Sequence, residues 1–287
     1  MVPGRLQPFL SDTALASCTA SWDEEKLGRL QAYIDEADFF FSIAESPIRN
    51  SGATSLLDVG SGIGLFGMLV ATLGIDVTCL DPMSSGFEEA QEMRSAVEEA
   101  WIVKSKRPIF RDETLASLPS TSGEFDFITC INVVEHVSGY RDFLLEVAQK
   151  IGPAGNAYIV FPNYSFPYEP HFSIPTLFSK ALTGRVFEKV IQRNSRKLLN
   201  PKGLWDELSW PTQKGAASAL QGIPSKVVFS RETLARYFSR LSDKRFLERK
   251  GRAFLVMGAI RPLLGAFFLA VPISLIPIVD LRLGPKI

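Results

Sequence analysis

Between residues 23 and 45, apolar side chains return every three or four positions: Leu27, Leu30, Ile34, Ala37 and Phe41. That spacing predicts a helix with one buried stripe. Asp23-Glu24-Glu25 suits its positive end, and Pro47 with Asn50-Ser51-Gly52 predicts its close. Short continuous apolar runs then alternate with helical patterns. Ser55–Val59 reads as a strand, followed by glycines and a helical stretch over Leu65–Leu73. Asp76–Leu80 reads as a second strand and Phe87–Val103 as an acidic helix. Ile109-Phe110-Arg111, Phe125–Ile131 and Ala157–Phe161 read as three more strands, with a helix around Tyr140–Ile151 before the last. Unbroken apolar strands separated by helices predict an α/β fold with a doubly wound, mostly parallel sheet covered on both faces.

Past Pro162 the rhythm breaks. Prolines recur, and Trp205 and Trp210, with Phe172, Phe178 and Phe187, supply the anchors of a helical element. The expected organisation is therefore an N-terminal helical region (1–50), a sheet domain assembled from 51–163 and 226–287, and a helical cap inserted at 164–225. Ser230-Arg231-Glu232-Thr233 predicts a further helix, with Ser230 as its N-cap. Residues 253–281 are strongly apolar, and Pro262–Val279 holds 18 consecutive uncharged residues, interrupted by Pro272 and Pro277. Three readings of this run stand: a kinked element in a membrane interface, a final core strand over Ile276–Leu283, or a membrane span, for which it is marginal in length.

The apolar fraction is 46%, which excludes a disordered or collagen-like chain. The formal net charge of zero hides an asymmetry. Residues 1–150 carry 11 Lys+Arg against 23 Asp+Glu, a net of −12; residues 151–287 carry 20 against 8, a net of +12. Basic clusters at 180–202 and 244–252 stand close to the apolar tail, and this pairing favours an anionic membrane surface. No nucleic-acid partner is expected, because no base-stacking module accompanies the basic residues. Cys18, Cys79 and Cys130 read as small apolar residues of a reducing compartment. With only His136 and His171 in the chain, no metal is expected. Gln7, Pro8, Ser11 and Asp12 interrupt any leader-like apolar core. A cytoplasmic location follows, with peripheral membrane contact as a further expectation.

The chemistry-bearing segment is Leu57-Asp58-Val59-Gly60-Ser61-Gly62-Ile63-Gly64, where a strand gives way to a helix. Glycines there permit a tight turn and close backbone approach to a ligand. The spacing departs from the nicotinamide fingerprint, since the third glycine comes one residue early. Asp58 sits where a pyrophosphate would be repelled, so a cationic group such as an amino acid's ammonium suits the loop better. Asp81, 17 residues after Gly64, can accept two hydrogen bonds from a ribose diol. Asp112, at the end of the third strand, can accept from an adenine amino group.

These residues bring out a resemblance. Residues 54–163 resemble the class I S-adenosylmethionine-dependent methyltransferases, in the ubiquinone-biosynthesis-like branch and of the methyltransferase-domain 11/12/23 type. Asp58–Gly64 resembles the family's first motif and Asp81 the acidic residue of its second. Arg111-Asp112-Glu113, Leu118-Pro119 and Phe125-Asp126-Phe127 resemble its adenine-contacting region and fourth strand. Asn132-Val133-Val134-Glu135-His136-Val137 resembles the short motif that follows. The resemblance implies a Rossmann-like domain, S-adenosylmethionine as cofactor, and cofactor contacts from Asp58, Gly60, Ser61, Gly62, Gly64, Asp81, Pro82, Asp112, Glu113 and Asn132.

The implied reaction is direct displacement at the sulfonium methyl, where positioning supplies much of the rate. A hydroxyl acceptor gains from a base. His136, just beyond the fourth strand, and His171, in Pro167-Tyr168-Glu169-Pro170-His171, are the candidates, with Tyr168 and Glu169 behind them. Asn163…Glu169-Pro170-His171…Ile174-Pro175 is similar to a pattern of methyltransferases acting on lipid-linked or glycosyl intermediates. The expected acceptor is therefore an amphipathic small molecule or lipid, such as a lipid-linked saccharide or prenyl-type molecule. Two other readings stand: a soluble small-molecule O-methyltransferase with the apolar tail in its core, and a non-catalytic cofactor-binding regulator.

Overall fold

In the computed structural model, the described residues are 6, 9–82, 88–102, 106–119, 125–193, 201–242 and 261–286. The basic cluster at 244–252, residues 253–260 of the apolar run, and Arg196 and Lys197 lie outside them.

Helix α1 (Asp12–Cys18) is a short element that the apolar pattern does not announce. Ser11 caps it, its Oγ accepting from the Ala14 N–H at 3.2 Å. Helix α2 (Glu24–Ser51) begins as expected, Asp23 accepting from the Lys26 N–H at 2.7 Å. It does not stop at Pro47, which lies inside it. A proline forfeits one backbone bond, but Ile43, Ala44 and Ile48 keep the buried face continuous on either side. The helix ends at Gly52, the last residue of the expected Asn50-Ser51-Gly52 close, in the left-handed conformation (φ 67°).

The expected alternation follows: β1 (Ser55–Val59), α3 (Leu65–Ala71), β2 (Asp76–Leu80), α4 (Glu88–Ala100), β3 (Ile109–Arg111), β4 (Phe125–Ile131), α5 (Tyr140–Lys150) and β5 (Ile151–Pro162). Strand β5 starts six residues earlier than its apolar core, Ala157–Phe161. The later elements are α6 (Lys180–Arg193), α7 (Pro201–Glu207), α8 (Gln213–Ala219), β6 (Ser225–Ser230), α9 (Glu232–Arg240), α10 (Arg261–Ala270) and β7 (Ile278–Lys286). The seven strands form one sheet in the order β3-β2-β1-β4-β5-β7-β6. Strands β1 to β4 pair in parallel, in a register that sets Val59 beside Leu80 and Cys130, and Leu80 beside Arg111. Their carboxyl ends therefore share one edge, where open α/β sheets bind ligands. Among the buried strand residues are Leu56, Leu57, Ile128 and Cys130.

The chain divides into two compact units. One comprises Met1–Ile131, Gln149–Tyr158 and Gly284–Lys286; the other Asn132–Ala148 and Ile159–Leu283. The second contains an apolar cluster of Phe172, Ile174, Ile191, Trp205 and Leu208, with Phe187 and Trp210 packed against it. Phe178, expected among these anchors, is fully exposed. The cap of α9 also differs from expectation. Ser230 ends β6 and Arg231 is the N-cap residue, but the Ser230 Oγ still accepts from the first N–H of the helix, that of Glu232, at 3.0 Å. Buried Asp280 acts beside it from β7: its Oδ2 accepts from the Thr233 N–H (3.0 Å) and hydroxyl (2.7 Å). A carboxylate there also suits the helix dipole.

Part of the apolar tail is core, as the final-strand reading expects. Ile276, Val279, Leu281 and Leu283 are buried in and beside β7, whereas Leu263, Phe267 and Leu269 of α10 are exposed. Among the described residues no helix is long and apolar enough to cross a membrane.

Candidate functional site

In the first unit the glycine loop follows β1 directly. Gly60, Gly62 and Gly64 take φ values of 69°, 53° and 81°, a backbone that glycine adopts without penalty. The Gly60 and Ser61 N–H groups donate to the Leu80 carbonyl at 2.7 and 3.2 Å, tying the loop to the end of β2. The Gly62 N–H donates to Asp81 Oδ2 at 2.8 Å. Loop and second-strand acid, 19 positions apart, are thus one structure. Arg94, from α4, completes it. Its Nη2 donates to the Gly62 carbonyl (2.9 Å), its Nη1 to Asp112 (3.0 Å), and its guanidinium lies 4.8 Å from the centre of the Phe110 ring. Asp112 and Glu113 are exposed after β3, and exposed Pro82 follows Asp81.

Asp58 is buried in β1. Thr129 of β4 donates to its Oδ1 at 2.7 Å, while Oδ2 has no hydrogen-bond partner among the described residues. Burial drives its pKa from 3.8 up to about 7; the Thr129 bond acts against this and the charge of Asp81 with it. A buried carboxylate with an open oxygen is costly alone and is matched by a cationic donor. This fits the amino-acid end of a sulfonium cofactor and does not fit a phosphate. Gly67, three residues beyond the loop, lets α3 approach β2: a side chain there would collide with Cys79 Sγ.

In the second unit Asn132, immediately after β4, holds a left-handed backbone (φ 55°) and donates its N–H to the Val160 carbonyl at 2.8 Å. Glu135 and His136 lie in a single 3₁₀ turn, Val134–His136, held from the far side by Ser209, whose N–H donates to the Glu135 carbonyl at 2.7 Å. The rings of His136 and His171 meet edge to face, with centroids 5.3 Å apart. The two candidate bases, 35 positions apart in sequence, therefore adjoin. Burial, and after it repulsion by the charge of a protonated His171, lowers the His136 pKa to about 4, Glu169 opposing, so His136 is neutral at physiological pH.

Glu169 is fully buried and collects four donors. Its Oε1 accepts from His171 Nδ1 (2.6 Å), the His171 N–H (3.1 Å) and the Tyr164 hydroxyl (3.2 Å); its Oε2 accepts from the Phe172 N–H (2.6 Å). Tyr164 stacks on Trp210 at 5.0 Å and 12°. Asn132, Ser173 and Trp210 are the non-glycine residues with positive φ among the described residues, and all three flank this cluster. Such strain gathers where a site needs fixed geometry. Glu135, His136 and His171 each bring one ligand atom within 4.8 Å of the others, an arrangement able to hold a metal ion.

Sequence reading underrates Glu169, takes Trp210 as a packing anchor alone, and misses Thr129 and Arg94. Of these, Glu169 alone carries a signal, two residues before His171 in a proline-bracketed turn.

The loop, the sheet order and the acids at the strand ends define a Rossmann-like class I S-adenosylmethionine-dependent methyltransferase. Comparison with known proteins gives the same result. A family model described as "Methyltransferase domain" matches residues 26–249, and the chain belongs to that family; S-adenosylmethionine is its cofactor. The chain is 34% identical over 250 residues to the uncharacterized protein Rv1509 of Mycobacterium tuberculosis, covering 85% of this chain and 83% of that one. It is 33% identical over 111 residues to the ubiquinone biosynthesis O-methyltransferase of Rickettsia akari, covering 39% and 41%. Among solved structures, geranyl diphosphate methyltransferase in complex with SAM aligns over 97% of both chains at 13% identity, with a TM-score of 0.46.

Proposed function

We propose that the protein methylates an oxygen of an amphipathic acceptor, such as a lipid-linked saccharide or prenyl-type molecule, at an anionic membrane surface. The observation that carries this reading is the outer face of α6. Leu182, Val186 and Val190, at four-residue steps, are exposed, and Phe178 stands exposed just before them. Lys180, Arg185, Lys189 and Arg193 lie on the same helix. An exposed apolar stripe edged by cations is the signature of an interfacial helix, and each basic residue near an anionic surface contributes about 1 kcal/mol. The exposed apolar residues of α10 agree with it. The burial of β7 favours the second reading, a soluble small-molecule O-methyltransferase, for that part of the tail.

In this reading Asp58 receives the ammonium of the cofactor and the backbone of Gly60, Ser61, Gly62 and Gly64 cradles it. Asp81 holds the ribose diol, with Pro82 beside it. Asp112 and Glu113 take the adenine side, and Asn132 closes the contact set. Bound S-adenosylmethionine supplies an electrophilic methyl group. His136 and His171 serve the acceptor, taking the proton that its hydroxyl must lose.

Calorimetry with S-adenosylmethionine, S-adenosylhomocysteine and NAD tests the cofactor assignment: micromolar binding of the first two and none of the third is expected. Flotation with vesicles of phosphatidylglycerol or phosphatidylcholine tests the surface. The protein should rise with the anionic vesicles alone, and Leu182→Ser with Val186→Ser should release it. Equal recovery with both vesicles, or none with either, refutes the membrane reading and leaves the soluble one.

A further inference from the structure

We infer that Arg94 is a positioning residue for the cofactor: its guanidinium fixes Asp112 and the Gly62 peptide in the arrangement that receives adenosine, and so sets both affinity and the preference for adenine over an oxo purine. The inference rests on the placement of adenine at Asp112 proposed above and adds the residue that holds this acid in place.

Helix α4 turns an apolar face inward, with Met93, Val97 and Ala100 buried, and Arg94 lies beside them at 9% exposure. A cation there is costly unless it is paired and hydrogen-bonded. The pairing is with the cofactor loop and its surroundings. Nη1 donates to Asp112 Oδ1, Nη2 donates to the Gly62 carbonyl, and the guanidinium lies over Phe110. Phe110 also lies against Gly64, where any side chain would collide with it. The buried Nε–H of Arg94 has no hydrogen-bond partner among the described residues. A buried donor left unmet costs stability, a cost that a residue serving the fold alone has no reason to carry.

The contacts decide what is positioned. Leu80 pairs with Arg111, and the Asp81 N–H donates to the Arg111 carbonyl at 3.1 Å, so Asp81 and Asp112 follow at adjoining strand ends. Two carboxylates at adjoining ends repel, and the Arg94 charge opposes that repulsion. The Gly62 peptide is gripped on both sides, its N–H by Asp81 and its carbonyl by Arg94. Asp112 is exposed, and Arg94 is its hydrogen-bond partner among the described residues. An exposed carboxylate keeps one direction only while a partner holds it. Held, it accepts from the amino group of adenine and opposes the oxygen of hypoxanthine, which is itself an acceptor. The planar fork of arginine serves two acceptors at once, which the point charge of a lysine does not.

The test is calorimetry with S-adenosylhomocysteine and its oxo analogue S-inosylhomocysteine, each protein being kept below its unfolding temperature. Wild type should prefer the adenine ligand at least ~10-fold, and Asp112→Asn, whose amide can also donate, should lose that preference. In Arg94→Met the affinity for S-adenosylhomocysteine should fall at least ~10-fold, the scale of one lost charge-assisted bond, and the preference should shrink with it. Made in the Asp112→Asn protein, the same change should cost less than in wild type, because the two residues act together. A purely structural role would lower the unfolding temperature and leave the preference between the two bases intact. Unchanged affinity or unchanged preference in Arg94→Met overturns the inference alone. If Arg94→Met does not fold, Arg94→Lys decides: its preference should be reduced, and a wild-type preference overturns the inference. Equal binding of the two ligands by wild type, or a preference kept in Asp112→Asn, overturns the adenine placement, and the inference falls with it.

Discussion

Replacing Asp58 by asparagine tests the electrostatics of the cofactor loop in the absence of any ligand. The carboxyl is buried in β1, bonded to Thr129, and raised to a pKa of about 7 from 3.8, chiefly by burial. The folded protein therefore holds a proton there that the unfolded chain has lost above about pH 4. Stability from this group is full below about pH 4 and falls as the pH rises through about 7, because the native state binds the extra proton over that window. Integrated between about pH 5 and pH 8, the difference is about 3 kcal/mol. The amide of the variant has no proton to lose, and its oxygen can still accept from Thr129. The assay is urea unfolding of wild type and Asp58→Asn without cofactor at about pH 5 and pH 8. All other titrating groups cancel in the comparison. Wild type should lose about 3 kcal/mol more than the variant on going to the higher pH. Equal pH dependence in the two proteins refutes the raised pKa, and with it the argument that an open buried oxygen awaits a cation.

Asp81→Ala should weaken S-adenosylmethionine binding by about 1–3 kcal/mol, since hydroxyls of the ribose lose their acceptor and the Gly62 N–H loses its anchor; unchanged calorimetric affinity refutes the ribose assignment. Gly64→Ala should destabilise the fold by at least about 1–2 kcal/mol from the left-handed backbone alone, and more because its methyl group would enter the Phe110 ring. A denaturant midpoint equal to that of wild type would contradict the observed loop.

The first unit was legible because its signals are local. Short apolar runs between glycines and helical stripes mark β1, β2 and β4, and Asp58 and Asp81 sit where strands end. The boundaries that failed were set by packing. Pro47 reads as a stop, but the buried faces on either side outweigh one lost hydrogen bond. The cap of α9 at Thr233 comes from Asp280, 47 positions away, which no local pattern could supply. In the same way the sequence offers His136 and His171 as separate candidates. Only the fold brings the rings together, whereas the donors to Glu169 are its sequence neighbours Tyr164, His171 and Phe172.

The apolar tail needs a physical account of how it can be exposed at Phe267 and buried at Val279. Asn163, at the end of β5, supplies it. Its Nδ2 donates to the Ser274 and Ile276 carbonyls at 3.0 and 2.8 Å, and its own N–H donates to the Pro277 carbonyl at 2.9 Å. Its Oδ1 accepts from the Ser165 and Gln213 N–H groups, each at 3.2 Å. One buried amide thus fastens the turn between Pro272 and Pro277 to the end of β5 and to the start of α8. The chain leaves the exposed helix there and enters the sheet. Asn163→Asp keeps the shape and removes the donors, setting a carboxylate oxygen against two carbonyls. The cost is that of buried acceptors left facing an acceptor, about 1–3 kcal/mol for each lost partner. Thermal unfolding should show a drop of several degrees that lessens at acid pH, where a protonated carboxyl can donate once. A variant as stable as wild type at neutral pH would mean that the burial of β7, rather than Asn163, decides where the tail turns inward.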